Sequence, residues 1–242
     1  MPQRYDVSVV IPVHNAEPFV GAAIDSVLTQ AAAAAEVSQV IVVDNNSTDG
    51  TLELIRESIR TRYGDRVIAI SETRPNAANA RNAGVRLATG AWLAFLDADD
   101  LWMPEKLQRQ VEASQQHPEA DLFFTLGEEF HSADLDADER IKLLCRPQPY
   151  PLLTPSSLLL RREVFGRVGE FPSVPGGEFI AWYGWARELD LRDFVVPEVL
   201  VRRRIHATNT TRGGISTAGY PLAAKWLLDQ RRKAKTTAGA IS

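Results

Sequence analysis

The chain has 242 residues, 45% of them hydrophobic, enough for one large domain or one domain with a small elaboration. Its 27 Lys and Arg stand against 31 Asp and Glu, a net charge of −4 that excludes the basic surface nonspecific nucleic-acid binding needs. The single cysteine, Cys145, rules out an internal disulfide. With no apolar run near about eighteen residues and no signal-like start, the expectation is a cytoplasmic globular protein whose membrane contact is at most peripheral.

In chain order, VSVVIPV (Val7 to Val13) predicts a strand, with Pro12 near its end where a missing donor costs least. EPFVGAAIDSVLTQ places Phe19, Val20, Ala23, Ile24, Val27 and Leu28 on one helical stripe. The short run Ala31 to Ala35 reads as a helix end or loop. QVIVVD (Gln39 to Asp44) is a second strand, apolar enough to be buried on both faces. NNSTDG is turn chemistry, with Thr48 or Asp49 able to cap the helix TLELIRESIRTR. A third strand, RVIAI, precedes the helix ANARNAGVRLATG, closed by Gly90. AWLAFLD is the fourth strand, and PEKLQRQVEASQQH a helix with Pro104 at its first position. ADLFFTL is a further strand, whereas HSADLDADERIK and CRPQPYPLLTP read as polar and proline-rich loops or an insertion bordering a site. SSLLLRREVFGRVG follows as strand then helix, GGEFIAWYGWARELD as a helix, and FVVPEVLVRRR as a last strand. YPLAAKWLLDQRRKA is an amphipathic helix, and KTTAGAIS a frayed tail.

This alternation predicts an α/β fold, a doubly wound, mostly parallel sheet with helices on both faces. Ligands of such sheets sit outside the carboxyl ends of the strands, where His14-Asn15, Asp44-Asn45-Asn46 and the acids of LDADD fall. Asp97, Asp99 and Asp100 repel one another unless a cation compensates. Mg²⁺ and Mn²⁺ bind through one or two carboxylates plus substrate phosphates, so Asp-x-Asp suits a metal-bound nucleoside diphosphate; a helix cap is the equal alternative for a lone DxD. Asp44 can accept from a base N–H or a ribose hydroxyl, His14 can stack on a base, and Asn15 and Asn46 can hydrogen-bond either way. Arg81 can reach a diphosphate, or be a solvated helix-face arginine.

Taken in order, VSVVIPVHNAEPFVGAAIDSVLTQ, VIVVDNNSTDGT, NAANARNAGVRLATGAWLAFLDADDLWMPEKLQRQ, PSSLLLRREVFGRVGEF and PEVLVRRRIHATNTT resemble the family 2 inverting glycosyltransferases of GT-A, Rossmann-like fold, from about Val7 to Thr211. The resemblance implies a GT-A domain over 1–218, with a nucleotide-binding half 1–118 and an acceptor half 119–218, and leaves 219–242 as the C-terminal amphipathic helix and tail. It implies that Pro12, His14, Asn15 and Glu17 border the base, that Asp44 holds it with Asn46 nearby, and that Asn76 and Arg81 line base and diphosphate. Asp97, with Ala98 beside it, would face the ribose; Asp99 would bind Mn²⁺ or Mg²⁺, with His206 of the R-x-H segment, next to Arg204, approaching the metal. The implied reaction moves a sugar from a nucleoside-diphosphate sugar, expected to be UDP-linked, onto a saccharide, lipid-linked sugar, peptide or natural product.

Inverting transfer needs a carboxylate base. Where relatives carry Glu-Asp, this chain has Glu178-Phe179, and Ala181 offers no carboxylate either. Glu178 is the favoured base; the alternatives are Glu188, Asp190, or an acceptor such as a thiol or phosphate that needs little help. A protein that binds nucleotide sugar with weak or lost catalysis is the competing reading. Trp182 and Tyr183 are candidates to wall the acceptor side, though Trp182 and Trp185 at i,i+3 also fit a core stripe. A nucleotidyltransferase or nicotinamide dehydrogenase is disfavoured, because PVHNAEP is not a glycine-rich loop.

Overall fold

The β-branched runs of the first hundred residues form strands buried on both faces of a sheet. In the computed structural model, which describes residues 5–30, 35–209 and 215–239, β1 (Tyr5–Val13) sends Val7, Val9, Ile11 and Val13 to one core and Val10 to another. The first core takes Val20, Ala23, Ile24 and Val27 of α1 (Val20–Leu28) and Ile55 of α2 (Thr51–Ser58). β2 (Ala35–Asp44) and β3 (Val67–Ser71) lie parallel beside β1, and α3 (Ala77–Leu87) closes the second face. Ala35 opens β2 rather than ending a helix; Ala31 to Ala34 lie outside the described residues.

Beyond β4 (Trp92–Phe95) the chain runs through the two-residue β5 (Leu101–Trp102), α4 (Lys106–Gln116), β6 (Leu122–His131) and the short α5 (Ala137–Lys142). β7 (Tyr150–Leu152), β8 (Leu159–Arg161), α6 (Arg162–Val168), α7 (Glu178–Glu188), β9 (Asp193–Ile205) and α8 (Ile215–Gly239) follow. One sheet joins both halves in the order β3-β2-β1-β4-β8-β6-β9-β5, with β7 on β6. β3, β2, β1, β4, β6 and β9 run one way, while β8, β5 and β7 are antiparallel to their neighbours, so the doubly wound start grades into a mixed sheet.

Several boundaries differ from expectation. An acidic stretch and a proline-rich one made 131–155 look like loop, yet Asp136 and Glu139 form a reciprocal capping box that starts α5. α4 begins at Lys106, two residues past Pro104, and α3 ends at Leu87, capped by Ala88 rather than closed by Gly90. α8 starts before Tyr220 and continues to Gly239, so most of the stretch expected to fray is helical; residues 240–242 lie outside the described residues. Among the described residues, no helix is long and apolar enough to cross a membrane.

Between α4 and β6 lies a buried polar knot. Gln110 donates through Nε2 to the carbonyls of Phe123 and Ser157, both at 2.7 Å, and accepts from Lys106 Nζ at 2.8 Å. Lys106 is fully buried, its ammonium 3.9 Å from the Trp102 ring centroid, and burial pushes its pKa well below the ordinary lysine value. The folded protein then binds fewer protons here than the unfolded chain, so stability contributed by this site is complete above the unfolded pKa and declines as pH falls toward the folded one. Lys106→Met should abolish that slope: its melting temperature relative to wild type should be higher at pH 7 than at pH 10. Melts at both pH values check this; an offset independent of pH would show that Lys106 keeps its ordinary affinity for a proton.

Candidate active site

The register of β1 on β2 pairs Val13 with Asp44, so residues 14 and 45 leave the sheet side by side. The Asn45 amide N donates to Val13 O at 2.7 Å, and His14 Nδ1 donates to Asn45 O at 2.8 Å. Asn15 and Asn46 take left-handed backbones, φ 50° and 61°, which asparagine tolerates. Asn15 binds the neighbouring turn through the Thr48 amide N, 2.8 Å from its Oδ1. β4 pairs with β1 only as far as Val10, so the sheet parts before Pro12 and its absent N–H costs no ladder bond to β4.

The parting opens a cleft of about 470 Å³, within the range of small-molecule sites. Pro12, His14, Asn15, Asn46, Asn76, Arg81, Asp97, Ala98, Asp99, Glu178 and His206 all line it, brought together from six separate strand or helix ends. Glu17 does not: its carboxylate accepts from the Gly50 amide N at 3.0 Å, where it serves the start of α2 together with Asp49, whose Oδ1 accepts from Thr51 N at 3.1 Å. Asp44 is buried at the end of β2 and lies outside the lining, whereas Asn45, which the sequence reading passed over, is within it. The Asn45 amide spans the next loop, donating to the carbonyls of Glu72 and Arg74 and accepting from Asn76 N. Asn76 in turn caps α3, accepting from Ala78 N at 2.7 Å.

The acids sit in distinct surroundings. Asp97 pairs with Arg81 Nη2, and Arg81 Nη1 lies 3.8 Å from Glu178 Oε1, so one buried guanidinium bridges two carboxylates. Asp99 Oδ2 accepts from His206 Nε2 at 3.0 Å and from Asn209 Nδ2 at 3.2 Å, while His206 Nδ1 meets Thr208 Oγ1 at 2.9 Å. Asp100 is buried beneath them; burial and the charges of Asp99 and Asp97 hold its carboxyl well above the ordinary range, against a hydrogen bond from Ser156. Ser156 Oγ donates to Asp100 Oδ2 and accepts from Asp97 N, and its carbonyl accepts from Trp102 Nε1. A buried serine in a leucine run gave no sequence signal for this role.

Arg204 does not face the cleft. Its guanidinium lies against the Phe19 and Phe130 rings, with Nε 3.0 Å from Asp99 O. Arg203 lines the cleft instead, 3.7 Å from Glu129, an outcome that alternation along β9 could have signalled. Trp182, 1% exposed, and Tyr183 belong to an aromatic core with Phe124, Phe171 and Phe179, so neither walls the cleft as expected. Glu188 and Asp190 stand at the far end of α7, about 15 Å along the helix from Glu178 at 1.5 Å per residue.

Among the described residues, three buried side-chain atoms have no hydrogen-bond partner: Asp44 Oδ1, Arg81 Nε and Glu178 Oε2. Buried polar groups are satisfied almost everywhere in folded proteins; two of these three belong to residues that line the cleft, Arg81 and Glu178, and Asp44 immediately precedes the lining residue Asn45. Four acids, two imidazoles and two arginines line the cleft, a set that with a cation can hold a polyanion and remove a proton.

Comparison with known proteins gives the same direction. Residues 8–169 match the model of Glycosyl transferase family 2. A protein of Rickettsia prowazekii named as an uncharacterized glycosyltransferase is 26% identical over 87% of this chain and 67% of its own length. The Escherichia coli UDP-Glc:alpha-D-GlcNAc-diphosphoundecaprenol beta-1,3-glucosyltransferase WfgD is 37% identical over 44% of this chain and 40% of its own. Staphylococcus aureus TarS 1-349, solved in complex with UDP-GlcNAc, superposes with a TM-score of 0.68 at 18% identity, covering 92% of this chain and 66% of that one. The mannosyltransferase PcManGT of Pyrobaculum calidifontis, in complex with GDP-Man and Mn²⁺, gives 0.66 at 22% identity, over 98% and 66%. The fold is thus GT-A, and this chain spans about two-thirds or less of the length of each of these relatives.

Proposed function

This chain belongs to glycosyl transferase family 2, and from that premise we propose that it moves a sugar from a UDP-linked donor to an acceptor with inversion, assisted by Mn²⁺ or Mg²⁺. The observation that supports the reading is the pair of unspent buried atoms on Arg81 and Glu178, both lining a cleft at the carboxyl ends of β1, β2 and β4. Asp44 Oδ1, unpartnered at the end of β2, would accept a base N–H, with Pro12, His14 and Pro75 lining the cleft beside it. Asp97, anchored by Arg81, is offered to the ribose.

The residues near Asp99 fit the implied cation. A carboxylate oxygen and an imidazole nitrogen 3.0 Å apart suit a hard divalent ion that completes its shell with substrate phosphate and water. Among the described residues, no group of three His, Cys, Asp or Glu stands together as a metal cage. Bound by Asp99 and His206, the ion would neutralise charge on the departing diphosphate. With Nδ1–H donating to Thr208 Oγ1, His206 would present an unprotonated Nε2 to the ion, in place of the Nε2–H that otherwise meets Asp99.

Glu178 is the base. Arg81 engages Oε1, leaving Oε2 to take the acceptor proton as the acceptor oxygen attacks the anomeric carbon opposite the leaving diphosphate. The competing reading, a binding protein without catalysis, drew on Phe179. Position 179 points into the aromatic core, 6.2 Å from Phe124 and 6.1 Å from Trp182 between ring centroids, so a carboxylate there would not reach the cleft in this chain.

A thermal-shift screen of UDP-Glc, UDP-GlcNAc and GDP-Man with Mn²⁺, followed by mass spectrometry of products, tests the proposal. Saturation with the right donor should raise the melting temperature by about 5–10 °C, from roughly 2.7 kcal/mol at a hundredfold excess over Kd. A shift by GDP-Man alone would overturn the UDP assignment, and no shift by any donor would overturn donor binding.

A further inference from the structure

α8 runs parallel to α7 and touches it along its full length. Gly219 meets Gly177, Ala223 clusters with Ala181, Leu227 covers Gly184, and Arg231 Nε lies 3.1 Å from Glu188 Oε2. Trp226 packs edge-on against Trp185 between the last two contacts. The α7 positions in this seam, 177, 181, 184 and 188, repeat at the spacing of one helix face, and three of them are Gly or Ala. Ala181 is fully buried under α8, which accounts for the lack of a carboxylate at that position.

The rungs are not alike. A Cβ on Gly184 would meet only the end of the Leu227 side chain, at 2.8 Å, which can turn aside. A Cβ on Gly219 would lie 2.1 Å from Gly176 O, and one on Gly177 would lie 2.4 Å from Gly219 O, so here backbone touches backbone. This rung abuts the turn from which Glu178 springs. Gly176 has φ 68°, and the N-cap Gly177 has no side chain to hold the first turn of α7.

We propose that α8 is a strut for the catalytic turn and that Gly219 is a positioning residue, setting where the Glu178 carboxylate sits relative to Arg81. The proposal rests on the reading of Glu178 as base. Forcing the 176–177 turn outward moves Glu178 at the start of its helix, and a displacement near 1 Å at a reacting group costs up to about a hundredfold in rate. The donor-binding residues lie at the ends of β1, β2, β4 and β9 and on α3, outside the α7–α8 seam, and keep their places.

Gly219→Ala and Gly184→Ala separate positioning from packing, read by UDP release from a nucleotide sugar with Mn²⁺, UDP calorimetry and melting. Gly219→Ala should lower kcat by about tenfold or more and shift the acidic limb of its pH profile, with UDP Kd within about twofold. Gly184→Ala should keep kcat within about twofold whatever its melting temperature. Should Gly219→Ala fail to fold, Ala223→Gly loosens the adjacent rung without a clash and should show the same split at about threefold. Equal losses of kcat in both seam variants, or wild-type kcat in Gly219→Ala, would overturn the strut. If Glu178→Gln is inactive while Gly219→Ala is normal, only the strut falls; if Glu178→Gln is active, the base assignment falls and the strut with it.

Discussion

Asp99→Ala should abolish the Mn²⁺-dependent part of UDP affinity and cut turnover by about a hundredfold or more, while leaving the fold intact. Loss of function follows from the carboxylate beside His206 at the strand end, which no other acid replaces: Asp97 is committed to Arg81, and Asp100 is buried against Ser156. Retention of the fold follows from the partners. His206 keeps Thr208, and Asn209 Nδ2 keeps the Arg204 carbonyl at 3.2 Å. Electrostatics favours the variant. Asp100 is held above its ordinary pKa by burial first and by Asp99 second, so the stability it contributes is complete at low pH and lost as pH rises through that raised value. Removing Asp99 brings the folded pKa down and lessens the loss at neutral pH, so the metal-free variant should melt no lower than wild type at pH 7. Calorimetry of UDP with and without Mn²⁺ decides the matter; an unchanged Mn²⁺-dependent affinity would remove Asp99 from the metal site.

The strands and the cleft they frame were legible because periodicity and strand ends are local signals. Val7, Val9, Ile11 and Val13 against Val10 already encode a sheet covered on both faces, and polar residues at the ends of β1, β2 and β4 fall where a parting sheet puts them. What escaped notice depends on contacts distant in sequence. Ser156 supports Asp97 and Asp100 from more than fifty residues away, and nothing in PSSLLL marks it. Asn45 and Asp44 differ only in which neighbour's side chain turns toward the cleft, a matter of strand-end geometry rather than residue type. Glu17 carries the chemistry of a ligand contact but is claimed by the start of α2. The aromatic trio of α7 was ambiguous because helical spacing fits both a core stripe and a binding wall; burial decides for the core in Trp182.

Glu178→Gln should lower turnover by about a hundredfold or more with UDP affinity nearly unchanged, because only the proton-accepting atom is lost. Glutamine keeps an oxygen that can face Arg81 Nη1 but presents an amide at the place of Oε2, a donor where the acceptor hydroxyl needs a base. Glu188→Gln is the matched control: its carboxylate is tied to Arg231 at the other end of α7, so turnover should stay at the wild-type level. Phe179→Asp added to Glu178→Gln should restore nothing. The Phe179 ring stacks 6.0 Å from Tyr183 and 6.1 Å from Trp182 between centroids, and an aspartate there would bury a charge among aromatic rings, destabilising the fold by several kcal/mol. These three variants distinguish the candidate bases, read by donor hydrolysis and by transfer once the screen has supplied a donor. Loss in Glu178→Gln alone assigns the base to the first turn of α7. Full turnover in that variant would mean that the acceptor arrives already able to attack, and Glu178 would then serve to hold Arg81 against Asp97.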